Sequence, residues 1–227
     1  MAESTTRSIN MQRRRDAILG EAQRVIGEQG FDALNLRALA DAASVTVPTI
    51  YNLIGNKDAL LMALFERAVT RIEAQLRDFE TAPALERAEA VVIQSTGLFG
   101  ADENFYRAAL IAGEQLGYRT EMRTASKDFD ARSVQMAANA CRAGLREGLL
   151  RGRIDCDLLG AQMYAIYRTS LHDWVYQLIT IDELRRNALR GFYVCLAADA
   201  TDDFHAALMG KLDALANGET RAAEQAA

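Results

Sequence analysis

Proline is almost missing from this sequence: Pro48 and Pro83 are the only two in 227 residues. Each proline removes a backbone donor and breaks a helix interior, so a chain nearly free of it can carry long helices. Ala, Leu and Arg are abundant helix formers here, and the expected fold class is all-α. Histidine is as scarce, with only His172 and His205. No Glu-x-x-His pair occurs, which excludes a helical di-iron centre. No nucleophile or carboxylate constellation is visible either, so the expectation is no catalytic residue, no metal, no cofactor and no enzyme. Cys141, Cys156 and Cys195 are scattered without metal-ligand or redox-motif spacing. They read as reduced core residues, with a sensor thiol as the alternative. No apolar run approaches a bilayer span, and the polar N-terminus lacks the apolar stretch of a signal peptide. The expectation is a cytoplasmic protein with no membrane contact. No sequence repeat stands out. Net charge is −5, which argues against a general polyanion binder. Any role on DNA must rest on a local basic surface. The best candidate is the N-terminal arm, where Arg7, Arg13, Arg14 and Arg15 face only Glu3 and Asp16.

What is present concentrates between Asn35 and Leu61. Leu36, Leu39, Ala40 and Ala43 share one face at helical spacing. Ser44 and Val45 make a turn, and Thr46 can cap the next helix with its hydroxyl. Pro48 falls in that helix's first turn, where its missing N–H is harmless. Ile50, Leu53 and Ile54 then point inward, and Ala40 is small where the two helices must cross. This is the pattern of a helix-turn-helix. Thr46, Val47, Thr49, Tyr51, Asn52 and Lys57 are left outside. Hydroxyls, an amide, a methyl-bearing surface and one cation suit phosphates and base edges in a major groove. Spacing alone also fits a solvated helix face.

The N-terminal quarter resembles the TetR family of transcriptional regulators. The resemblance is carried by Arg15, Ile18, Ala22, Gly30, Leu39-Ala40, Val45-Thr46, Pro48-Thr49-Ile50-Tyr51, Asn56-Lys57 and Leu60-Leu61. Ser44 departs from it, standing where the family has glycine. Leu53 and Ile54 also depart, replacing a polar or aromatic residue and phenylalanine. The resemblance implies a three-helix helix-turn-helix DNA-binding domain followed by a helical ligand-binding and dimerisation domain. On that basis the DNA-contacting candidates are Arg14, Arg15, Arg37, Thr46, Val47, Pro48, Thr49, Tyr51, Asn52 and Lys57.

Along the chain, residues 1–12 read as a disordered basic arm, 13–58 as the DNA-binding domain, 59–217 as the helical domain and 218–227 as a disordered tail. A helix is expected from Arg13 to Glu28, closed by Gly30. A long helix from Asn56 to Phe79 outruns the DNA-binding unit and would be its lever. Gly117 to Thr124 reads as a loop. Gly148 stops a helix begun at Ser126, and Thr180 with Glu183 forms a capping box.

One helix-turn-helix reads too few base pairs, so two units about 34–36 Å apart are needed. Apolar residues on several faces between Asp155 and Ala198 suggest the contact, with Leu159, Ile166, Trp174, Leu184, Ala188, Phe192 and Cys195 as candidates in a four-helix homodimer interface. The alternative is burial inside one chain. By the same resemblance the middle helices would enclose a pocket for an unknown small-molecule effector. Phe99, Tyr106, Met136, Asn139, Tyr164, Tyr167 and Trp174 are its candidate lining, with Phe105, Met122, Phe129, Gln115, Gln162 and His172 as further members. The partners are then palindromic double-stranded DNA, the effector and a second copy, and the function is a repressor released by its effector. The competing readings are a helical adaptor that binds no DNA and an all-helical enzyme. Arg37→Ala is expected to cost ~1–3 kcal/mol at one base pair of the operator, measured by binding to base-substituted duplexes; equal loss on every duplex would make Arg37 a phosphate contact instead.

Overall fold

The computed structural model describes the backbone of residues 2–117 and 123–226, and the side chains of residues 8–116 and 127–217. The described residues form ten α-helices. These are α1 (Ala2–Gln29), α2 (Leu36–Ala42), α3 (Val47–Leu53), α4 (Lys57–Leu76), α5 (Ala84–Gly100), α6 (Glu103–Gly117), α7 (Arg123–Arg146), α8 (Cys156–Val175), α9 (Ile181–Ala197) and α10 (Asp202–Ala226). The all-α expectation holds. None of the described helices is long and apolar enough to cross a membrane.

The chain divides into two compact units, residues 1–71 with 101–127 and residues 72–100 with 128–227. The sequence placed the boundary near residue 58 and gave everything after it to one domain. The structure keeps most of α4 in the first unit and returns α6 to it. The reason is close packing. A Cβ at Gly27 of α1 would lie 3.3 Å from Phe105 Cβ, and one at Gly113 would lie 2.9 Å from a Phe65 ring carbon of α4. The first unit's core is Ile18, Ala22 and Ile26 from α1, Leu39 and Ala40 from α2, Ile50 from α3, Leu60, Leu61 and Leu64 from α4, and Phe105 and Ala109 from α6.

Both expected disordered ends are helical instead. α1 begins at Ala2 rather than near Arg13, and α10 runs on to Ala226. Neither stretch carries a proline to stop a helix. The loop expected at 117–124 lies outside the described residues except where α6 ends and α7 begins, and the side chains of Met122 and Arg7 are likewise outside them.

In the second unit, caps set the helix ends. Asp155 accepts from the amides of Asp157 and Leu158, starting α8. The expected capping box is formed: Thr180 Oγ1 accepts from Glu183 N at 3.3 Å, and Glu183 Oε2 accepts from Thr180 N at 2.7 Å. The first amide of α5 is capped across the fold, because Ala84 N donates to Glu147 Oε2 at 3.0 Å. The core runs through Leu159, Met163, Ala188, Phe192, Leu196, Phe204 and Leu208. α8 and α9 pack closely at Gly191, where a Cβ would lie 2.3 Å from Ile166 Cγ2. α10 is tied down by Glu89, which accepts from the Tyr193 hydroxyl at 2.6 Å and from Lys211 Nζ at 2.9 Å.

Asp199, buried after α9, fastens the α7–α8 turn. Its carboxylate accepts from Gly152 N at 2.8 Å and Arg153 N at 2.9 Å, and its carbonyl accepts from Arg151 N at 2.7 Å. Asp199→Ala strands two amide donors. It should cost about 2–4 kcal/mol, seen as a lowered midpoint in urea.

Candidate nucleic-acid interface

α2 and α3 have seven residues each, too few to be stable alone. Their ends are therefore held by side chains. Asn35 Oδ1 accepts from Arg37 N at 2.8 Å and Ala38 N at 3.2 Å, capping α2. Thr46 Oγ1 accepts from Thr49 N at 3.3 Å and sits 2.8 Å from Thr49 Oγ1, capping α3 as expected. Pro48 lies in the first turn of α3.

The turn between them keeps its left-handed residue without glycine. Ser44 has φ 53°. Ser44 N donates to Asp41 O at 3.1 Å and Val45 N to Ala40 O at 2.9 Å. These are the two bonds of a Schellman motif, with serine where glycine is usual. The departure at Ser44 therefore leaves the turn geometry intact.

α3 buries only Ile50 fully. Leu53 and Ile54 are half-buried, less inward than their spacing suggested. Thr46, Pro48, Tyr51 and Asn52 are exposed, with Tyr51 at 54% and Val47 and Thr49 half-buried. Arg37 and Arg14 are also exposed. Two expected DNA contacts are engaged inside the protein. Arg15 donates to Leu53 O at 2.6 Å, at the C-terminal end of α3, where a cation is favoured. Lys57 Nζ donates to Asp32 O at 3.0 Å and lies 4.6 Å from the centroid of the Phe31 ring. Sequence reasoning missed the Asn35 cap, although Asn immediately before an apolar-periodic run is its usual signal.

A family model for the bacterial regulatory proteins of the tetR family matches residues 18–64, the span of the helices just described. That match lies within the N-terminal region of the chain. The repressor KstR of Mycobacterium tuberculosis is 35% identical over 75 residues, and the matched stretch spans 33% of this chain and 34% of that protein. SmeT, repressor of the SmeDEF multidrug efflux pump of Stenotrophomonas maltophilia, is 23% identical with a TM-score of 0.63, covering 84% of this chain and 92% of SmeT. SmeT has also been solved with triclosan. A transcriptional regulator of Saccharomonospora viridis in complex with choline is 21% identical with a TM-score of 0.63, covering 77% of this chain and 92% of that one. These likenesses to solved structures concern the fold over most of the chain.

In the second unit, the residues expected to contact another copy are mostly spent on the chain's own core. Leu159, Trp174, Leu184, Ala188 and Phe192 are each at most 4% exposed, while Ile166 and Cys195 are half-buried. The two helices bury these faces against each other and against α5 and α10. The exposed residues of α8 and α9 are instead Asp157, Leu158, Gln162, Ala165, Arg168, Thr169, His172, Asp182 and Val194.

The expected pocket residues separate as well. Tyr106 is buried in the first unit, where desolvation raises its pKa. Asn139 is exposed and accepts from Arg142 at 3.0 Å, so it is a surface residue. Gln115 and Gln162 are exposed, and His172 lies 3.5 Å from Asp173 Oδ1. Tyr164 is half-buried and donates to Asp130 at 2.5 Å; desolvation, with Asp130 beside it, raises its pKa. Met136 is half-buried, Tyr167 is buried, and Trp174 stacks on Phe99 with centroids 5.9 Å apart. Phe99, Tyr167 and Trp174 thus remain as an aromatic group on α5 and α8. Cys141 is buried, with burial pushing its thiol up to about 12, which suits a core residue. Among the described residues, no group of three or more His, Cys, Asp or Glu could hold a metal.

Ser44→Gly removes a left-handed cost of ~1–2 kcal/mol and restores ~0.5–1 kcal/mol of chain freedom to the unfolded state. The net expectation is a more stable protein by about 0.5–1 kcal/mol, read from thermal unfolding.

Proposed function

We propose that this chain is a homodimeric DNA-binding repressor that leaves its operator when a small molecule binds. The observation that carries the reading is the surface of α3. Of its seven residues only Ile50 is fully buried, yet both ends are fastened, by Thr46 and by Arg15. A helix held so firmly while presenting Pro48, Tyr51 and Asn52 outward is suited to enter a major groove. Val47 and Pro48 would touch thymine methyls, and Thr49 and Tyr51 would bond phosphates. Arg37, exposed at the start of α2, would read a guanine, and Arg14 would add charge on the flank. Arg15 would act chiefly by placing α3, and Lys57 by holding the start of α4 to the α1–α2 connection.

The functional domains would be 13–58 for DNA and 59–217 for effector and partner. A second copy would meet the exposed stripe of α8, Leu158, Gln162, Ala165 and Thr169, together with Val194 of α9. These four α8 residues carry no charge and recur at helical spacing, with the exposed Asp157 and Arg168 beside them. The effector would lie against Phe99, Tyr167 and Trp174. SmeT and the Saccharomonospora viridis regulator, with triclosan and choline, support a small-molecule effector without naming it. Such a ligand acts by preferring the conformer whose two reading helices are wrongly spaced, and ~1–3 kcal/mol of coupling is typical.

The test is selection from a random duplex library with the full chain, followed by titration at several salt concentrations. A palindromic site with half-sites about one helical turn apart, and affinity falling steeply with salt, is the expected result. A monomer that retains no duplex at low salt would end the proposal. Val194→Glu should give a folded monomer by light scattering and lose most operator affinity.

A further inference from the structure

Three helices of the first unit meet at one amide. Gln23 of α1 donates through Nε2 to Asp102 Oδ2 at 2.6 Å, and its Oε1 accepts from the Arg67 guanidinium of α4 at 2.5 Å. Arg67 also reaches Leu19 O at 3.5 Å. Asp102 directly precedes α6, and its other oxygen lies 3.4 Å from Phe105 N in the first turn. The orientation of the Gln23 amide is forced. A guanidinium only donates and a carboxylate only accepts, so the amide oxygen must face Arg67 and its nitrogen Asp102. All three side chains are half-buried, where a mismatched polar pair is costly. One turn further on, Gly27 lets the two helices close on Phe105.

The same helix grips the candidate reading helix. Arg15 donates to Leu53 O at the end of α3. Arg15 and Gln23 are eight residues apart, about 12 Å along the axis. Ile18, Leu19 and Ala22 between them are buried, which holds that stretch against the core. Asp102 is the second residue after the chain re-enters the first unit at Ala101.

We propose that α1 is a strut that carries the position of the first turn of α6 to α3, with Gln23 as the positioning residue that sets it. The functional meaning of this strut rests on the DNA-binding reading above; its mechanics do not. A purely structural Gln23 would hold α1 to α6 and leave α3 indifferent.

The experiment uses Gln23→Glu, Asp102→Asn and the two together in the full chain. Gln23→Glu sets two carboxylates face to face. Asp102→Asn leaves one acceptor where two are needed, although asparagine still caps α6. The double variant reverses the bond: the amide at 102 donates, the carboxylate at 23 accepts, and Arg67 keeps its partner. Amide hydrogen exchange over Ile50–Ile54 should quicken at least about fivefold in each single variant and return near wild type in the double, with α9 unchanged throughout. Affinity for the selected duplex should fall about tenfold in the singles and recover in the double. Unchanged exchange in α3, or a double variant no better than the singles, overturns the strut. Should Gln23→Glu fail to fold, Asp102→Asn and the double decide it. A wild-type chain that binds no duplex sinks the DNA reading, while the exchange data still decide the strut.

Discussion

Helices of two turns do not persist by themselves, and that constraint shapes the first unit. α2 and α3 cannot supply enough internal hydrogen bonds to offset nucleation, so their geometry is imposed from outside. Asn35 and Thr46 take up orphan amides at their starts, Ser44 turns the chain between them, and Arg15 holds the carbonyl of Leu53. Only Leu39, Ala40 and Ile50 need be given to the core. Leu36, Val47, Thr49 and Leu53 are half-buried, and the remaining residues of these helices are exposed. So exposed a pair of short helices is possible only because α1 and α4 supply the bulk of the burial.

Much of this was legible in the residues, and the limits have a physical pattern. Local chemistry was readable: the caps at Thr46 and Thr180, the terminator at Gly30, and the helix-turn-helix periodicity all appear where expected. What escaped was long-range. Arg15 and Lys57 look like free cations in a sequence, since nothing nearby tells that their acceptors are the carbonyls of Leu53 and Asp32. The Gln23–Asp102 bond joins residues far apart in the chain and carries no spacing signal. α6 was assigned by order to the helices around it, whereas glycine-to-ring contacts bring it to α1 and α4.

The second unit shows the other failure. An apolar residue on a helix reports that it is buried, not against what. Leu184, Ala188 and Phe192 were ambiguous between a core and an interface, and the single chain by itself buries all three. Ala165 and Thr169, exposed on α8, have small and uncharged side chains that look unremarkable in sequence.

Trp174 is the chain's only tryptophan, and it is wholly enclosed within the second unit. Its ultraviolet emission is therefore a natural optical label for that half of the molecule alone. Far-ultraviolet dichroism, in contrast, sums over every helix. If the two units melt separately, the two signals will trace different curves, and the stability of the first unit can be obtained by difference without attaching any dye.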